Sequence, residues 1–340
     1  MNTEILYDTS DNDIKKAALY IAQGSLVAFP TETVYGLGAN ALDGEAVKRI
    51  FTAKGRPQDN PLIVHVCKAE DADKYAYTSD LFYKLAEKYM PGPITVIMPR
   101  RENIPLEVTA GLDSVGIRVP LSGTARRLIE LSGVPIAAPS ANLSGKPSPT
   151  KASHVIDDLS GRVEAILCGN DCLVGVESTV VKITGESSLI ICRPGAVTYE
   201  MLKTVCDDVT VDPAVISKFD GKPVSPGMKY RHYAPNAEVN VLIGSEDNIL
   251  EFLSDKSDFG IICYDEDGRL LEFKNAFSLG SSTDPSEQAT RLFDLLRYFD
   301  SIKTVNKIYA RMPEKNGVGL AVYNRLLKAA GFSTIDLNKR

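Results

Sequence analysis

The chain has 340 residues, 44% apolar and 24% charged, with a net charge of −6. That length exceeds what one hydrophobic core usually serves, so two domains are expected, in a composition ordinary for a soluble globular protein. A net negative chain is not built to coat nucleic acid or an anionic membrane, although a local basic cleft stays open.

The N-terminus lacks the basic-then-apolar pattern of a signal peptide, and no apolar run is long enough to span a bilayer. A cytoplasmic chain without membrane contact is therefore expected. Six cysteines are scattered along it. Cys168 and Cys172 lack the second Cys or His pair that a zinc site needs, and five of the six lie in or beside apolar runs. They read as inert core thiols in a reducing compartment.

Asp11 to Gln23 has the period of an amphipathic helix, ended by Gly24, and Ser25–Phe29 reads as a buried strand. Pro30–Gly38 then reads as a polar loop after a strand, where open α/β sheets bind ligands. It is neither a G-x-G-x-x-G fingerprint nor a Walker A loop, and a Thr-rich turn would look the same. Gly44–Ala53 reads as a short helix, with Asp43 as N-cap and Ala46, Val47, Ile50 and Phe51 inward. Gly55 and Pro57 stop it, leaving Lys54 and Arg56 at the break, and Leu62–Val66 follows as a strand. A planar fork and a point charge side by side fit an anion clamp. A solvated loop fits the same residues.

Asp80–Tyr89 reads as a helix closed by Pro91-Gly92-Pro93; Ile94–Met98 and Val115–Pro120 read as strands. The second strand carries Arg118 among apolar residues, and a buried cation needs a partner, either a structural carboxylate or a ligand. Gly123–Ser132 is expected to be a helix and Val134–Pro139 a strand. The strand runs into Ser140–Thr150, whose hydroxyls and amide could meet phosphate or ribose oxygens, or simply form a Ser/Pro-rich turn. Ala165–Cys168, Ser178–Ile183 and Leu189–Arg193 look like strands, with Ser178 and Arg193 at strand ends that could reach a shared cleft.

From about Asp207 the pattern loosens, and Asp212–Pro235 reads as a linker. Its middle, Ser225–Pro235, holds more Tyr, His and basic residues than a passive spacer, which suggests a segment laid over a surface. Beyond Asn236, strands at Val239–Ile243, Phe259–Tyr264, Ala276–Leu279 and Lys307–Arg311 alternate with helices in the manner of a small three-layer α/β domain. Asp284, Pro285 and Glu287 have the spacing of a capped helix start with a capping box. This half has no recognisable catalytic motif.

Taken together, Pro30–Gly38, Lys54–Pro61, Gly116–Pro120, Pro139–Asn142 and Ser178–Val181 resemble the YrdC-like threonylcarbamoyl-AMP synthases. Lys54-x-Arg56 with Ser140-x-Asn142, in this order and context, carries the specificity. The linker and C-terminal half resemble the longer, two-domain members. The resemblance implies a YrdC-like twisted open α/β sheet with a large cleft over residues 1–206. A linker over 207–236 would cross that cleft, and a smaller Rossmann-like α/β domain would occupy 237–340. It also implies a nucleotidyltransferase that joins L-threonine, bicarbonate and ATP into threonylcarbamoyl-adenylate and releases pyrophosphate. The product would feed a separate tRNA threonylcarbamoyl transferase, which modifies the adenosine beside the anticodon.

By the same resemblance, Lys54 and Arg56 would neutralise the triphosphate with Mg²⁺, and Asn60, Ser114, Ser140, Asn142, Ser148 and Arg193 would complete the ATP site. Thr33, His65, Arg118 and Ser178, with the backbone near Ala138, would hold threonine. Tyr230, Arg231 and His232 would fold over the cleft as a lid. No side chain is assigned as a metal ligand, and weak tRNA contact is a further expectation. The chemistry needs no covalent enzyme intermediate, which is consistent with the lack of a Ser-His-Asp or Cys-His arrangement. The general base is unassigned; His65 is a candidate by its pKa class. Two competing readings are an RNA-binding or ribosome-associated module using the same basic cleft, and a carbamoyl-transfer domain acting on another protein. Overall acidity opposes the first. The absence of zinc-finger and acylphosphatase-like regions opposes the second.

Overall fold

The computed structural model of the chain describes residues 2–217 and 232–339. Tyr230 and Arg231 lie outside the described residues. The chain divides into two compact units, Met1–Ser144 with Ser148–Lys229, and Gly145–Pro147 with Tyr230–Arg340.

The first unit is built on one sheet. Its strands are β1 (Glu4–Tyr7), β2 (Val27–Phe29), β3 (Gly36–Asn40), β4 (Ile63–His65), β5 (Ile94–Pro99) and β6 (Ser114–Arg118). They continue as β7 (Ile136–Ala138), β8 (Ala165–Cys168), β9 (Thr179–Gly185), β10 (Ser188–Arg193) and β11 (Asp208–Val211). Their order across the sheet is β1-β8-β2-β3-β7-β4-β6-β5-β9-β10-β11. Pairing is mixed: β4 runs parallel to β6 and antiparallel to β7.

Helices α1 (Asp11–Ala22), α2 (Gly44–Lys54), α3 (Asp80–Tyr89), α4 (Leu106–Thr109), α5 (Gly123–Ser132), α6 (Ala152–Leu159) and α7 (Tyr199–Leu202) connect these strands. Asp43 caps α2 by accepting from the N–H groups of Glu45 and Ala46, and Gly55 ends it at φ 62°, a backbone conformation open to glycine.

Because side chains alternate along a strand, cross-strand partners share a face. Ala28, Leu37, Ala137, Val64, Ile117, Val96 and Val181 share one face and lie in the main core. Phe29, Gly36, Ala138, Ile63, Gly116, His65 and Arg118 share the other, with Thr95, Val180 and Arg193 farther along it. This second face carries the polar groups discussed below.

Two expectations are corrected in this unit. Pro30–Gly38 is not loop throughout, because Gly36 starts β3, which returns antiparallel to β2. Residues 208–211, expected to open the linker, instead form β11 and pair parallel with β10. Four residues with Val209 inward are too short to display an alternation. Helix α6 rises where no element was expected.

The second unit contains β12 (Glu238–Ile243), α8 (Glu246–Leu253), β13 (Phe259–Cys263), β14 (Ala276–Ser278), α9 (Pro285–Phe299), β15 (Lys307–Arg311), α10 (Gly319–Ala329) and β16 (Thr334–Asp336). The sheet order is β14-β13-β15-β12-β16, and every pair is parallel. Ile249 and Leu253 of α8 pack with Leu242, Ile261 and Cys263 on one face. Phe299 of α9 packs on the other, where Gly260 leaves room for its ring and Phe277 meets it edge-on. The expected three layers are therefore present. The construction is Rossmann-like in its parallel, helix-linked strands, although β15 inserts between β12 and β13. Asp284 caps α9 as expected, but no capping box closes, because Glu287 turns its carboxylate to the N–H of Ser281. Among the described residues, no helix is long and apolar enough to cross a membrane.

Candidate functional site

Lys54 ends α2, where a cation is favoured by the helix dipole. Its ammonium donates to the carbonyls of Ser140 (2.6 Å) and Asn142, with Asn142 Oδ1 at 3.5 Å. The residue is 2% exposed, so it is not the solvated charge that the local sequence also allowed. Ser144 N–H returns a bond to the Lys54 carbonyl at 2.9 Å, and Ser140 Oγ donates to Asn142 Oδ1. The end of α2 and the loop after β7 are thus one hydrogen-bonded structure. Arg56, half-buried, reaches over its own loop to the carbonyls of Asn60 and Pro61 at 3.4 Å each. Asn60 is buried, and its Oδ1 has no partner among the described residues.

Arg118 ends β6 and is buried beside Glu32 and Thr33 of the loop after β2. Its Nη2 donates to Glu32 Oε1 at 2.6 Å and to Thr33 Oγ1 at 2.9 Å. Its Nε–H is buried and has no partner among the described residues. The Thr31 hydroxyl hydrogen goes to the Val34 carbonyl, so Thr33 must donate to Thr31 at 2.8 Å. A directed chain results, Arg118 to Thr33 to Thr31 to backbone, and it leaves Thr33 with acceptor capacity only. Burial works to raise the Glu32 carboxyl, but the charge and hydrogen bond of Arg118 outweigh it and hold the group below the ordinary carboxylate range.

His65 stands in register with Arg118 and with Ile136, whose carbonyl lies 3.3 Å from Nδ1. Burial first, and the Arg118 charge second, push its imidazole down to about 3. The ring is therefore neutral at ordinary pH and takes up a proton less readily than an exposed histidine.

A third group lies at the β5–β9–β10 end. Ser178 is fully buried, with its hydroxyl 2.8 Å from Thr95 Oγ1. Arg193 grips it through Nε to the carbonyl and Nη2 to Oγ, both at 3.0 Å. Ser148, also fully buried, donates to the Glu177 carboxylate. Ala138 pairs with Ile63 as a small residue of the floor. Ser114 lines a groove of about 340 Å³ with Ile97, Leu112, Asp113 and Lys182. His232 belongs to the second unit, beside Tyr233, whose ring packs 5.1 Å from Phe293 of α9.

The structure therefore gathers most of the expected residues of the first unit into clusters rather than one contact network: Lys54 with Ser140 and Asn142, Arg56 with Asn60, Arg118 with Thr33 and His65, and Ser178 with Arg193. Ser148 pairs instead with Glu177, Ser114 lines its own groove, and Ala138 lies against Ile63. Sequence reading missed Glu32, Thr95 and Glu177. For Glu32 the signal was present, since Arg118 needed a partner and the post-strand loop contains a carboxylate.

Among the described residues, no three His, Cys, Asp or Glu side chains group as metal ligands. All six cysteines are free, and burial pushes the thiols of Cys172, Cys192 and Cys263 up to about 12, which makes them inert.

A family model for the Sua5/YciO/YrdC proteins, described as telomere recombination, matches residues 19–195. A model for the C-terminal domain of threonylcarbamoyl-AMP synthase matches residues 197–331. A Pyrococcus abyssi protein named threonylcarbamoyl-AMP synthase is 46% identical over 336 residues, which cover 95% of this chain and 96% of that protein. A Bacillus subtilis protein of the same name is 43% identical over 329 residues, covering 95% and 94%. The crystal structure of P. abyssi Sua5 complexed with L-threonine matches with a TM-score of 0.89 at 43% identity, covering 99% of both chains. This chain belongs to the Sua5/YciO/YrdC family, among the members that also carry the threonylcarbamoyl-AMP synthase C-terminal domain.

Proposed function

We propose that the chain is a threonylcarbamoyl-AMP synthase, a nucleotidyltransferase acting on L-threonine, bicarbonate and ATP. The observation that carries this reading is a buried guanidinium, Arg118, whose Nε–H has no partner among the described residues, beside a hydroxyl acceptor, Thr33. Arg118 shares a sheet face with Ala138, at the β7 end from which the Lys54-bound loop leaves. Such a pocket suits a carboxylate and a neighbouring polar group on one small molecule. The reading also rests on similarity to proteins of that name along nearly the whole chain.

In this reading the threonine carboxylate meets Arg118, with Thr33, His65, Ser178 and the Ala138 backbone around the rest of the molecule. The amine adds to the bicarbonate carbon and water leaves, giving a carbamate. A carbamate oxygen then attacks the α-phosphorus of ATP, the bond to the β-phosphate oxygen breaks, and pyrophosphate departs. An anion attacks a polyanion, so positive charge must be fixed beforehand. Lys54 and Arg56 supply it, and Asn60, Ser114, Ser140, Asn142, Ser148 and Arg193 complete the nucleotide site. Preorganisation here is literal: Lys54 is already locked to the loop that it orders.

Among the described residues, no three His, Cys, Asp or Glu side chains group as a metal cage, and the loop that Lys54 holds presents the Ser140 hydroxyl and the Asn142 amide oxygen. Such neutral oxygens would fit Mg²⁺ carried by the triphosphate. When bound, Mg²⁺ would withdraw charge from the phosphates. The adenylate is an activated acyl donor, so a tRNA-modifying transferase is the expected consumer.

The test is pyrophosphate release from ATP and Mg²⁺, with bicarbonate and each of threonine, serine and alanine in turn. Release that requires both threonine and bicarbonate is expected. Release indifferent to the amino acid, or none at all, would overturn the reading.

A further inference from the structure

Glu32 is a buried carboxylate that the reaction as written does not use. It is held at both oxygens: Oε1 accepts from Arg118 at 2.6 Å, and Oε2 accepts from Ser122 N–H at 3.3 Å. Ser122 is itself fixed, because its side chain caps α5 by accepting from Ala125 N–H and its hydroxyl donates to the Pro30 carbonyl. The carboxylate is therefore anchored to the start of a helix, and it anchors the guanidinium in turn. Arg118 commits Nη2 to Glu32 and Thr33 while its Nε–H, buried in the same place, has no partner among the described residues. Leaving a buried donor of a charged group unsatisfied is costly, and an incoming carboxylate relieves that cost.

Charge gives a second argument. Arg118 alone would leave a buried +1, which attracts any anion, polyphosphate included. With Glu32 ionised, as its lowered carboxyl range implies, the pair is near neutral. A zwitterion then enters without net charge transfer into a low-dielectric site, whereas an amino acid with a second carboxylate meets Glu32 as a like charge.

We propose that Glu32 is a positioning residue of the amino-acid pocket: it fixes the Arg118 guanidinium so that Nε–H meets the substrate carboxylate, and it sets the pocket's charge so that a zwitterion is taken in preference to an acidic amino acid. The proposal rests on the reading of Arg118 as the amino-acid site. Glu32 acts through Arg118 and touches no reacting atom.

The test uses the full chain with Glu32→Gln, which keeps the shape and an acceptor, and Glu32→Ala. Threonine binding is measured by calorimetry without ATP, and pyrophosphate release is measured while threonine and ATP are varied separately. For Glu32→Ala the KM for threonine should rise about tenfold or more, while the KM for ATP stays within about twofold. Glu32→Gln should lie between that variant and the wild type, and aspartate, which is expected to compete poorly in the wild type, should compete better. A merely structural role would lower the active fraction or melting temperature with both KM values unchanged, and that result overturns the proposal. If Glu32→Ala does not fold, Glu32→Gln decides alone by threonine affinity and aspartate competition. Wild type that binds threonine while the variants bind equally well removes the Glu32 role only. Wild type that takes up no threonine removes the reading of the pocket, and this proposal with it.

Discussion

Lys54 ties two segments as well as supplying a charge, since its ammonium sits among the Ser140 and Asn142 carbonyls. Lys54→Met, which keeps most of the stem, should therefore show two effects. Turnover should fall about 100-fold or more as the fixed charge is lost. Stability should fall by about 1–3 kcal/mol as a buried set of carbonyls loses a charged donor. Pyrophosphate release and urea titration read the two separately, and full turnover in this variant would end the assignment of Lys54 to the nucleotide site.

The sequence made Lys54 legible as a cation at a helix break. Its partners were not legible, because they lie 86 and 88 residues away. Arg118 repeats the pattern. Its need for a counter-charge followed from its apolar neighbours, whereas the choice of Glu32, 86 residues upstream, follows only from the path of the loop after β2.

At the scale of elements, β3 lies against β2 and β7 so closely that side chains set the spacing. A Cβ on Gly38 would stand 2.7 Å from Ile136 Cγ2 and 2.8 Å from Phe29 Cε1. Both neighbours also position His65, Ile136 through its carbonyl and Phe29 through an edge-on ring at 6.3 Å. Gly38→Ala should therefore cost about 1–3 kcal/mol, as other overpacked sites do, and should weaken threonine binding as well. Thermal unfolding with threonine calorimetry checks both, and a variant unchanged in both would show that the strands separate without strain. Asp43→Ala, which removes the cap of α2, should cost about 1 kcal/mol and leave threonine binding alone.

Helices of ten residues or more with an apolar stripe, such as Asp80–Tyr89 and Gly123–Ser132, stand where the sequence puts them. Elements too short to complete a period, such as β11 and the three-residue β16, escaped notice, as did α6 behind its Ser/Pro-rich loop. The overrun of the Pro30–Gly38 loop has a similar cause, because glycine gives β3 no strand propensity to read.

Over the whole molecule, a net charge of −6 opposes a phosphate-tracking surface. Binding to tRNA at physiological salt should be no tighter than the roughly 10⁻⁴–10⁻⁶ M of non-specific association. Tight, salt-sensitive binding without amino-acid-dependent turnover would favour the RNA-binding alternative. Acid should act on the fold through the same buried cluster that forms the amino-acid pocket. His65 has an ordinary value of 6.5 when exposed and one near 3 when folded, so between these values the unfolded chain takes up a proton that the folded chain refuses. Stability is then lost as pH falls from about 6.5 toward 3. The folded value of Glu32 lies below its ordinary 4.5, so its contribution, present above 4.5, is lost with the same sign as pH falls through the folded value. One such proton weakens folding about tenfold per pH unit. Urea midpoints should therefore drop between pH 7 and pH 5 in wild type and drop less in His65→Asn. In both proteins a steeper loss should follow below pH 4.5, where Glu32 joins. Equal pH dependence in the two proteins would mean that the folded chain protonates the imidazole as readily as the unfolded one, so that burial and the Arg118 charge do not hold it down.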